Sequence, residues 1–395
     1  MMETLFTITL LELFIGGSGR LLEVGSGTVR MILFAGCLVV SLITALSNRH
    51  KNSGIALAFG LVICYLTVHL TALLIGLTKG NDLGTMMVEM QQSLYWLAAP
   101  FLALVLSSHD MVTHAAKLIR VSGVVLALGY IGVIVALLLS LIDYRELYIA
   151  LSSTGEFMFR TETFFFYKGF IYLAISAVFF ISTEDKSLLI WGTIVIMALA
   201  LTLTRGFMLA TALSVVLLLF TQRRWRHLCM ALIVISTAAI FILIYMPSQE
   251  NTISDSRDRS DMVRVEDFSY IVSNTSVKTI LIGEGLGTLI NDRRQVENTF
   301  LWAFWRLGII GVLFWLTPLI LCLVYFTRIG RHDTNFRLAS AYFFSTILIY
   351  IQTLSNPYLN NPIGLSFVII AIFSLRTMSK NSARNPIRMT DNLKK

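Results

Sequence analysis

Charged residues are scarce in this sequence. Asp, Glu, Lys and Arg make up 14% of its 395 residues, whereas soluble globular domains carry about 25%. Hydrophobic residues make up 56%, and the mean hydropathy is +0.76. Because so apolar a chain cannot cover its surface in water, the composition excludes a soluble globular protein and indicates a lipid environment.

Alternation of apolar and polar residues is also missing. Membrane β-barrels show alternating segments of about 10 residues, but the apolar runs here are continuous and rich in Leu and Ile. A membrane-spanning helix needs roughly 20 apolar residues, and a helix satisfies its backbone hydrogen bonds within one segment. We therefore predict an all-α integral membrane protein.

Cysteine is sparse as well. The four cysteines all fall inside apolar runs, at Cys37, Cys64, Cys229 and Cys322. Neither a CxxC nor an HxxxH spacing occurs, so the sequence predicts no disulfide, no structural metal site and no cofactor. We expect the cysteines to fill space between helices.

The apolar runs predict about 12 transmembrane helices within a single polytopic domain, residues 1–395. The predicted spans lie near residues 2–16, 28–47, 54–77, 91–107, 118–142, 163–182, 187–203, 205–220, 227–246, 298–326, 338–355 and 361–376. The first run is short and contains Glu12, so the number becomes 11 if it does not cross. A sizeable polar loop covers residues 247–297, and a polar tail covers residues 377–395.

The net charge of +8 follows membrane topology and does not form a nucleic-acid-binding surface. Lys and Arg concentrate in alternate short loops and in the tail, for example at Arg49, Lys117, Arg223 and Arg328. Under the positive-inside rule, these loops and the tail 377–395 are cytoplasmic. The alternation then places the loop 247–297 outside, and we predict no nucleic-acid partner.

The loop 247–297 holds a run of cations: Arg257, Arg259, Arg264, Arg293 and Arg294. We expect most of them to be solvated and one or two to point inward, and we select Arg257 and Arg264 as candidate substrate-binding residues. The apolar residues of 260–274 fall on one side of a helix, which predicts an amphipathic helix that lies on the membrane surface or on other spans. Gly283-Glu-Gly-Leu-Gly287 lacks the strand–helix context and the Lys of a nucleotide loop, so we interpret it as a flexible connector.

Arg205 is the first candidate catalytic residue. It interrupts an apolar stretch, residues 187–220, that is too long for one helix and fits two helices joined by a tight external turn. An ionisable group at such a position is a functional candidate by default, and a guanidinium there can bind a phosphate. The alternative is a turn residue whose side chain extends to water.

Glu297 begins the second group of candidates. Asn298, Trp302 and Arg306 follow it at helical spacing, so they share one face of a helix. Aromatic and guanidinium groups suit sugar rings and phosphates, and Glu297 could act as a general base. The alternatives are an acid that favours the helix dipole and an interfacial belt of tryptophans.

Arg160 and Lys168 form a third group of candidate substrate-binding residues. They lie at the head of the sixth predicted span, about two turns apart on one helix face. The alternative is that both cations anchor this span at the membrane interface.

Several of these segments, in this order, resemble the O-antigen polymerase and O-antigen ligase superfamily of bacterial inner membranes. Leu201-Thr-Leu-Thr-Arg205-Gly206 is similar to a Ser/Thr-Arg-Gly step between two spans. Ile282-Gly-Glu-Gly-Leu-Gly287 is similar to the Gly-rich end of the family's large periplasmic loop. Glu297-Asn298-Thr-Phe-Leu with Leu307-Gly-Ile-Ile-Gly311 resembles the step that enters the next span. Gly16-Gly-Ser-Gly-Arg20 with Val29-Arg30-Met-Ile-Leu is similar to polymerase sequences.

The resemblance implies a multi-pass glycosyltransferase of the bacterial inner membrane, without a metal, whose active site faces the periplasm. Its substrates would be glycans linked to undecaprenyl diphosphate. Arg205 and Arg264 would hold the diphosphate, and Glu297 would accept the proton of the acceptor hydroxyl. The family also implies a partner, a chain-length regulator of the polysaccharide co-polymerase type.

Two other functions stay open from the sequence. An O-antigen ligase would transfer the finished glycan to lipid A core; ligases typically carry a His where this chain has Glu297, which favours the polymerase. A transporter or flippase of lipid-linked sugars would also need about twelve spans. Transporters often show internal repeats and broken helices in matched positions, and the sequence shows neither.

Overall fold

The computed structural model describes residues 2–17, 19, 23–24, 27–46, 53–159, 163–232, 250–291, 293–294 and 296–384. In its first half the elements are α1 (Met2–Ile15), β1 (Glu23–Val24), β2 (Gly27–Thr28), α2 (Val29–Leu46), α3 (Ser53–Thr78), α4 (Leu83–Ser93), a 3₁₀ turn (Leu94–Ala98), α5 (Ala99–Val105), α6 (His109–Leu138), α7 (Tyr144–Ser152), β3 (Phe157–Phe159) and β4 (Phe165–Tyr167). The second half continues with a 3₁₀ turn (Lys168–Phe170), α8 (Ile171–Ser182), α9 (Lys186–Leu201), α10 (Arg205–Thr221), α11 (225–232), α12 (Glu250–Asn274), α13 (Val277–Ile282), α14 (Thr299–Thr327), α15 (Phe336–Gln352) and α16 (Pro362–Arg384).

Among the described residues, four helices are long and apolar enough to cross a membrane: Gly54–Thr78, His109–Leu138, Thr299–Thr327 and Pro362–Ala383. Several shorter apolar helices accompany them, including Ser187–Leu201 and Arg205–Thr221. These helices confirm an all-α membrane protein. The number of spans stays a prediction. Of the predicted span 227–246, residues 233–246 lie outside the described residues.

The tight turn predicted at Arg205 is present. α9 ends at Leu201 and α10 begins at Arg205, so three residues reverse the chain. Leu203 takes a positive φ of 51° there, and Thr202 Oγ1 accepts a hydrogen bond from the backbone N–H of Thr204. Because the turn satisfies its own polar groups, two apolar helices can follow each other with almost no loop.

The predicted span 163–182 is wrong at its start. The chain forms an antiparallel hairpin here, in which Phe157 pairs with Tyr167 and Phe159 with Phe165. α8 begins only at Ile171, because the aromatic run that the sequence suggested as helix fits the pleated hairpin. Lys168 directly follows strand β4 and lies before the first turn of α8. Arg160 lies outside the described residues.

The core is built around α8 and α16, whose side chains are mostly buried. Tyrosine and threonine hydroxyls join neighbouring helices across it. The hydroxyl of Tyr172 donates to the carbonyl of Ile363 at 2.7 Å, and that of Thr377 donates to the carbonyl of Leu106 at 2.6 Å. In an apolar bundle such bonds remove buried polar atoms and fix the relative heights of the helices. α16 continues to Arg384, into the predicted polar tail.

α1 is a helix that packs into this bundle, and Phe6, Leu10 and Leu13 are fully buried. Glu12, the residue that made this run the weakest predicted span, accepts a hydrogen bond from Arg30 Nε at 2.8 Å. A buried carboxylate is thereby paired with the first turn of α2. Whether α1 crosses the membrane stays a prediction.

The Gly-rich loop after α13 is packed and is not a flexible connector as the sequence suggested. Gly283 has φ 77°, and α14 is broken at Gly308, which has φ 67° and ψ −163°. These two glycines let two backbones touch: a Cβ at Gly283 would collide with the Arg306 carbonyl, and one at Gly308 with the Leu281 carbonyl. The loop therefore packs directly against the break in α14.

Candidate active site

Glu297 lies immediately before α14 and contacts Arg264 of α12. Arg264 Nε and Nη2 both donate to Glu297 Oε2, each at 2.7 Å. Asn298 caps α14, and its side-chain oxygen accepts hydrogen bonds from the backbone N–H groups of Phe300 at 2.9 Å and Leu301 at 3.1 Å. The cap fixes where the helix starts and so fixes the position of Glu297.

A cavity of about 290 Å³ opens beside this ion pair. Its polar lining comes from Arg264, Asp267, Glu297 and Asn298, and apolar side chains such as Phe268 line the rest. The Arg264 and Glu297 side chains are 36% and 39% exposed. Three of the predicted site residues, Arg264, Glu297 and Asn298, therefore meet in one accessible cavity.

A second ion pair joins the same two segments. Arg293 Nη2 donates to Asp267 Oδ1 at 2.6 Å and lies 3.7 Å from Glu266 Oε2. Burial raises the pKa of the Asp267 carboxyl, Arg293 opposes this, and the Glu297 and Glu266 carboxylates add to the rise. Of the loop cations whose side chains the structure describes, Arg264 and Arg293 contact carboxylates of this region, whereas Arg294 is exposed.

Arg205 lies at the same end of the bundle. Its side chain is exposed at the first position of α10. The adjacent Gly206 allows close approach of α15, because a Cβ there would come within 2.9 Å of Gln352 Nε2. Three residues further, the Ser355 carbonyl accepts a hydrogen bond from Arg264 Nη2 at 3.5 Å. The end of α15 thus connects the surroundings of Arg205 with those of Arg264.

Lys168 borders this region from the other side. The hydroxyl of Tyr358, in the loop between α15 and α16, donates to its carbonyl at 3.4 Å. The ring of Tyr358 also lies 5.8 Å from that of Phe207, two residues after Arg205. The structure therefore brings Lys168 to the end of the bundle that carries Arg205 and Glu297. The side chain of Arg257 lies outside the described residues.

Arg306 is deeply buried, unlike Arg264. Its Nε donates to Glu89 Oε1 at 2.6 Å, its Nη2 donates to the Arg294 carbonyl at 3.1 Å, and its side chain is 0% exposed. Its Cζ lies 6.0 Å from the centre of the Trp302 ring, one helical turn away as the spacing predicted. In this position Arg306 holds the segment before α14 and does not reach the cavity.

Sequence reasoning missed Glu89 and Asp267. Glu89 Oε2 also accepts from the backbone N–H of Gly287 at 2.9 Å, so it ties α4 to both the Gly-rich loop and α14. Its only sequence signal is that it is an acid in the short segment between the predicted spans 54–77 and 91–107. For Asp267 the signal is its position one helical turn after Arg264, which puts both on one face of α12.

Fold and cavity together define a helical membrane protein with a charged, partly enclosed site at one end. No family model matches the chain. An O-antigen polymerase of Shigella flexneri is 27% identical over 378 residues, which cover 94% of this chain and 95% of that protein. This similarity along nearly the whole length confirms the resemblance to the O-antigen polymerases.

Proposed function

We propose that this protein is an O-antigen polymerase, or a polymerase of a related surface polysaccharide. It would join repeat units linked to undecaprenyl diphosphate on the periplasmic side of the bacterial inner membrane. The observation that carries the proposal is the cavity in which Arg264 and Glu297 meet at the end of the bundle that bears Arg205. The full-length similarity to a polymerase supports it.

The proposed reaction is a metal-independent displacement at the anomeric carbon. A hydroxyl of the acceptor sugar forms the new C–O bond, the bond from that carbon to the diphosphate breaks, and the electron pair leaves with undecaprenyl diphosphate. Glu297 accepts the hydroxyl proton, and Arg205 and Arg264 hold the departing charge, since guanidinium groups bind phosphate in a bidentate way.

The pairing of Arg264 with Glu297 fits this division of roles. An incoming diphosphate offers Arg264 a more highly charged partner than the carboxylate does. When Arg264 turns to the diphosphate, Glu297 is released to accept a proton. Asn298, Trp302, Arg306, Lys168, Arg160 and Arg257 stay predicted substrate-binding residues, and contact by Arg306 would require its pair with Glu89 to open.

The test is the lipopolysaccharide banding pattern of a deletion strain complemented with variants. Glu297→Gln should lower polymerisation about 10²–10⁴-fold, since general-base catalysis contributes that much, and Arg205→Ala should leave core capped with one repeat unit. Arg331→Ala is the control, because Arg331 is exposed at the opposite end of the bundle. Full-length chains in either site variant at normal protein level would contradict the assigned role.

The deletion strain separates the alternatives. Loss of a polymerase leaves core with a single repeat unit, whereas loss of a ligase or a flippase leaves bare core. Bare core in the deletion strain would therefore refute the polymerase. A chain-length regulator as partner stays a prediction; it is tested by co-purification with the tagged protein.

A further inference from the structure

Asp267 has a position in the cavity that the proposed reaction does not yet use. It lies one helical turn after Arg264 on α12, its side chain is 3% exposed, and it lines the same cavity as Glu297. Among the described residues, Arg293 Nη2 donates a hydrogen bond to Asp267 Oδ1 at 2.6 Å. The second carboxylate oxygen is thus left for a ligand in the cavity.

Two ion pairs lie beside the cavity, and α12 supplies the cation of one pair and the anion of the other. α12 supplies Arg264 and Asp267, and the segment before α14 supplies their partners Glu297 and Arg293. Arg264 contacts Glu297 at Oε2, and Arg293 contacts Asp267 at Oδ1, and an oriented carboxylate is a strong hydrogen-bond acceptor. The two carboxylates therefore present acceptor oxygens to the same space.

The charge of Asp267 decides which part of a substrate it can contact. A carboxylate repels a diphosphate, and it binds an uncharged group that donates hydrogen bonds. Sugar hydroxyls are such groups. The lining near Asp267 therefore suits the sugar of the acceptor and excludes the diphosphate, which belongs with the arginines.

We propose that Asp267 binds a hydroxyl of the acceptor sugar, next to the hydroxyl from which Glu297 takes the proton, and so orients the acceptor. This rests on the proposed polymerase function. Burial raises the pKa of Asp267, and a hydroxyl donated by the acceptor would stabilise its ionised form. The acceptor thus replaces the water that an ionised, buried carboxylate needs.

The neighbouring acid, Glu266, offers a matched control. It lies on the same helix, also approaches Arg293, at 3.7 Å, and is 56% exposed, and it does not line the cavity. Asp267→Asn and Glu266→Gln remove the same charge, and Asn keeps an oxygen for Arg293. A difference in KM between these two variants therefore reports on the carboxylate of Asp267, which lines the cavity.

The experiment measures kcat and KM of the purified protein in lipid nanodiscs with lipid-linked repeat units as substrate. Loss of a hydrogen bond to a charged group should raise KM about 10- to 100-fold in Asp267→Asn, with a smaller effect on kcat. Glu266→Gln should stay within about twofold of the parent. Asp267→Glu, which keeps the carboxylate, should recover part of the loss.

Equal KM values for Asp267→Asn and Glu266→Gln would overturn the assignment. If Asp267→Asn does not fold, the double variant Asp267→Leu with Arg293→Met takes its place, because it removes the carboxylate without leaving the guanidinium uncompensated. A KM equal to that of Glu266→Gln in this variant overturns the proposal. Glu297→Gln in the same assay distinguishes failure of the proposed catalytic role from failure of the inference on Asp267. Parent-like activity in Glu297→Gln contradicts the proposed role of Glu297, whereas a strongly impaired Glu297→Gln with a parent-like Asp267→Asn contradicts this inference alone.

Discussion

Two arginine–carboxylate pairs flank the start of α14, and they differ in exposure. Arg264 and Glu297 are 36% and 39% exposed beside the cavity, whereas Arg306 and Glu89 are 0% and 6% exposed inside the bundle. The sequence suggested a phosphate-binding role for both arginines. An accessible pair can exchange its partner for a ligand, but opening a buried pair leaves a charge without compensation. The exposed fraction of the side chains, and not the residue type, therefore distinguishes the pair beside the cavity from the pair that stabilises the bundle.

The largest expected effect is on the buried pair. Glu89→Ala leaves the Arg306 guanidinium buried without its carboxylate and should lower the free energy of unfolding by about 3–5 kcal/mol. The measurement is thermal unfolding of the purified protein in detergent. The double variant Glu89→Leu with Arg306→Met is the control, and it should recover much of the loss because both charges are gone. An unchanged unfolding temperature in Glu89→Ala would show that this pair is not a support.

An intermediate effect is expected where α14 breaks. Gly308 has φ 67° and ψ −163°, a conformation that is essentially reserved for glycine, so Gly308→Ala should cost about 1–3 kcal/mol from the backbone alone. The Cβ would also press on the Leu281 carbonyl. Gly132→Ala in α6 is the matched control, since a Cβ there meets nothing within 4 Å. Equal unfolding temperatures for the two variants would contradict the packed break.

The smallest expected effect on stability is on the accessible pair. Glu297→Gln should change the free energy of unfolding by at most about 1 kcal/mol, because exposed ion pairs contribute little, whereas the proposed role of Glu297 predicts a large loss of polymerisation. The same detergent unfolding assay measures it. A loss as large as that of Glu89→Ala would erase the distinction between the two pairs and make Glu297 a structural residue.

Continuous apolar runs made most helices predictable. The predicted span 54–77 is α3, the span 298–326 is α14, and the turn at Arg205 lies where an apolar stretch too long for one helix had to fold back. The hairpin 157–167 could not be predicted this way, because its phenylalanines fit a strand and a membrane helix equally well. α6 begins at His109, ahead of the predicted residue 118, because Ser108 caps it within the polar segment.

Contacts between residues that are far apart in the sequence could not be predicted either. Arg306 and Glu89 are 217 positions apart, so no spacing rule could show that the arginine already had a partner. Arg264 and Glu297 were both selected from the sequence, yet their contact depends on how α12 packs beside α14. Local spacing placed Trp302 next to Arg306 correctly, because both lie on one uninterrupted helical segment before Gly308.

The outward face of α12 has a practical consequence. Met262, Val265, Phe268 and Val272 are each more than half exposed on the helix that also supplies Arg264 and Asp267. Among the described residues, no other span covers these four side chains, and such an apolar face suits the membrane surface. A detergent micelle that covers only the spanning helices would leave this apolar face of α12 in water. Lipid content then becomes a variable to control in every assay of the purified protein.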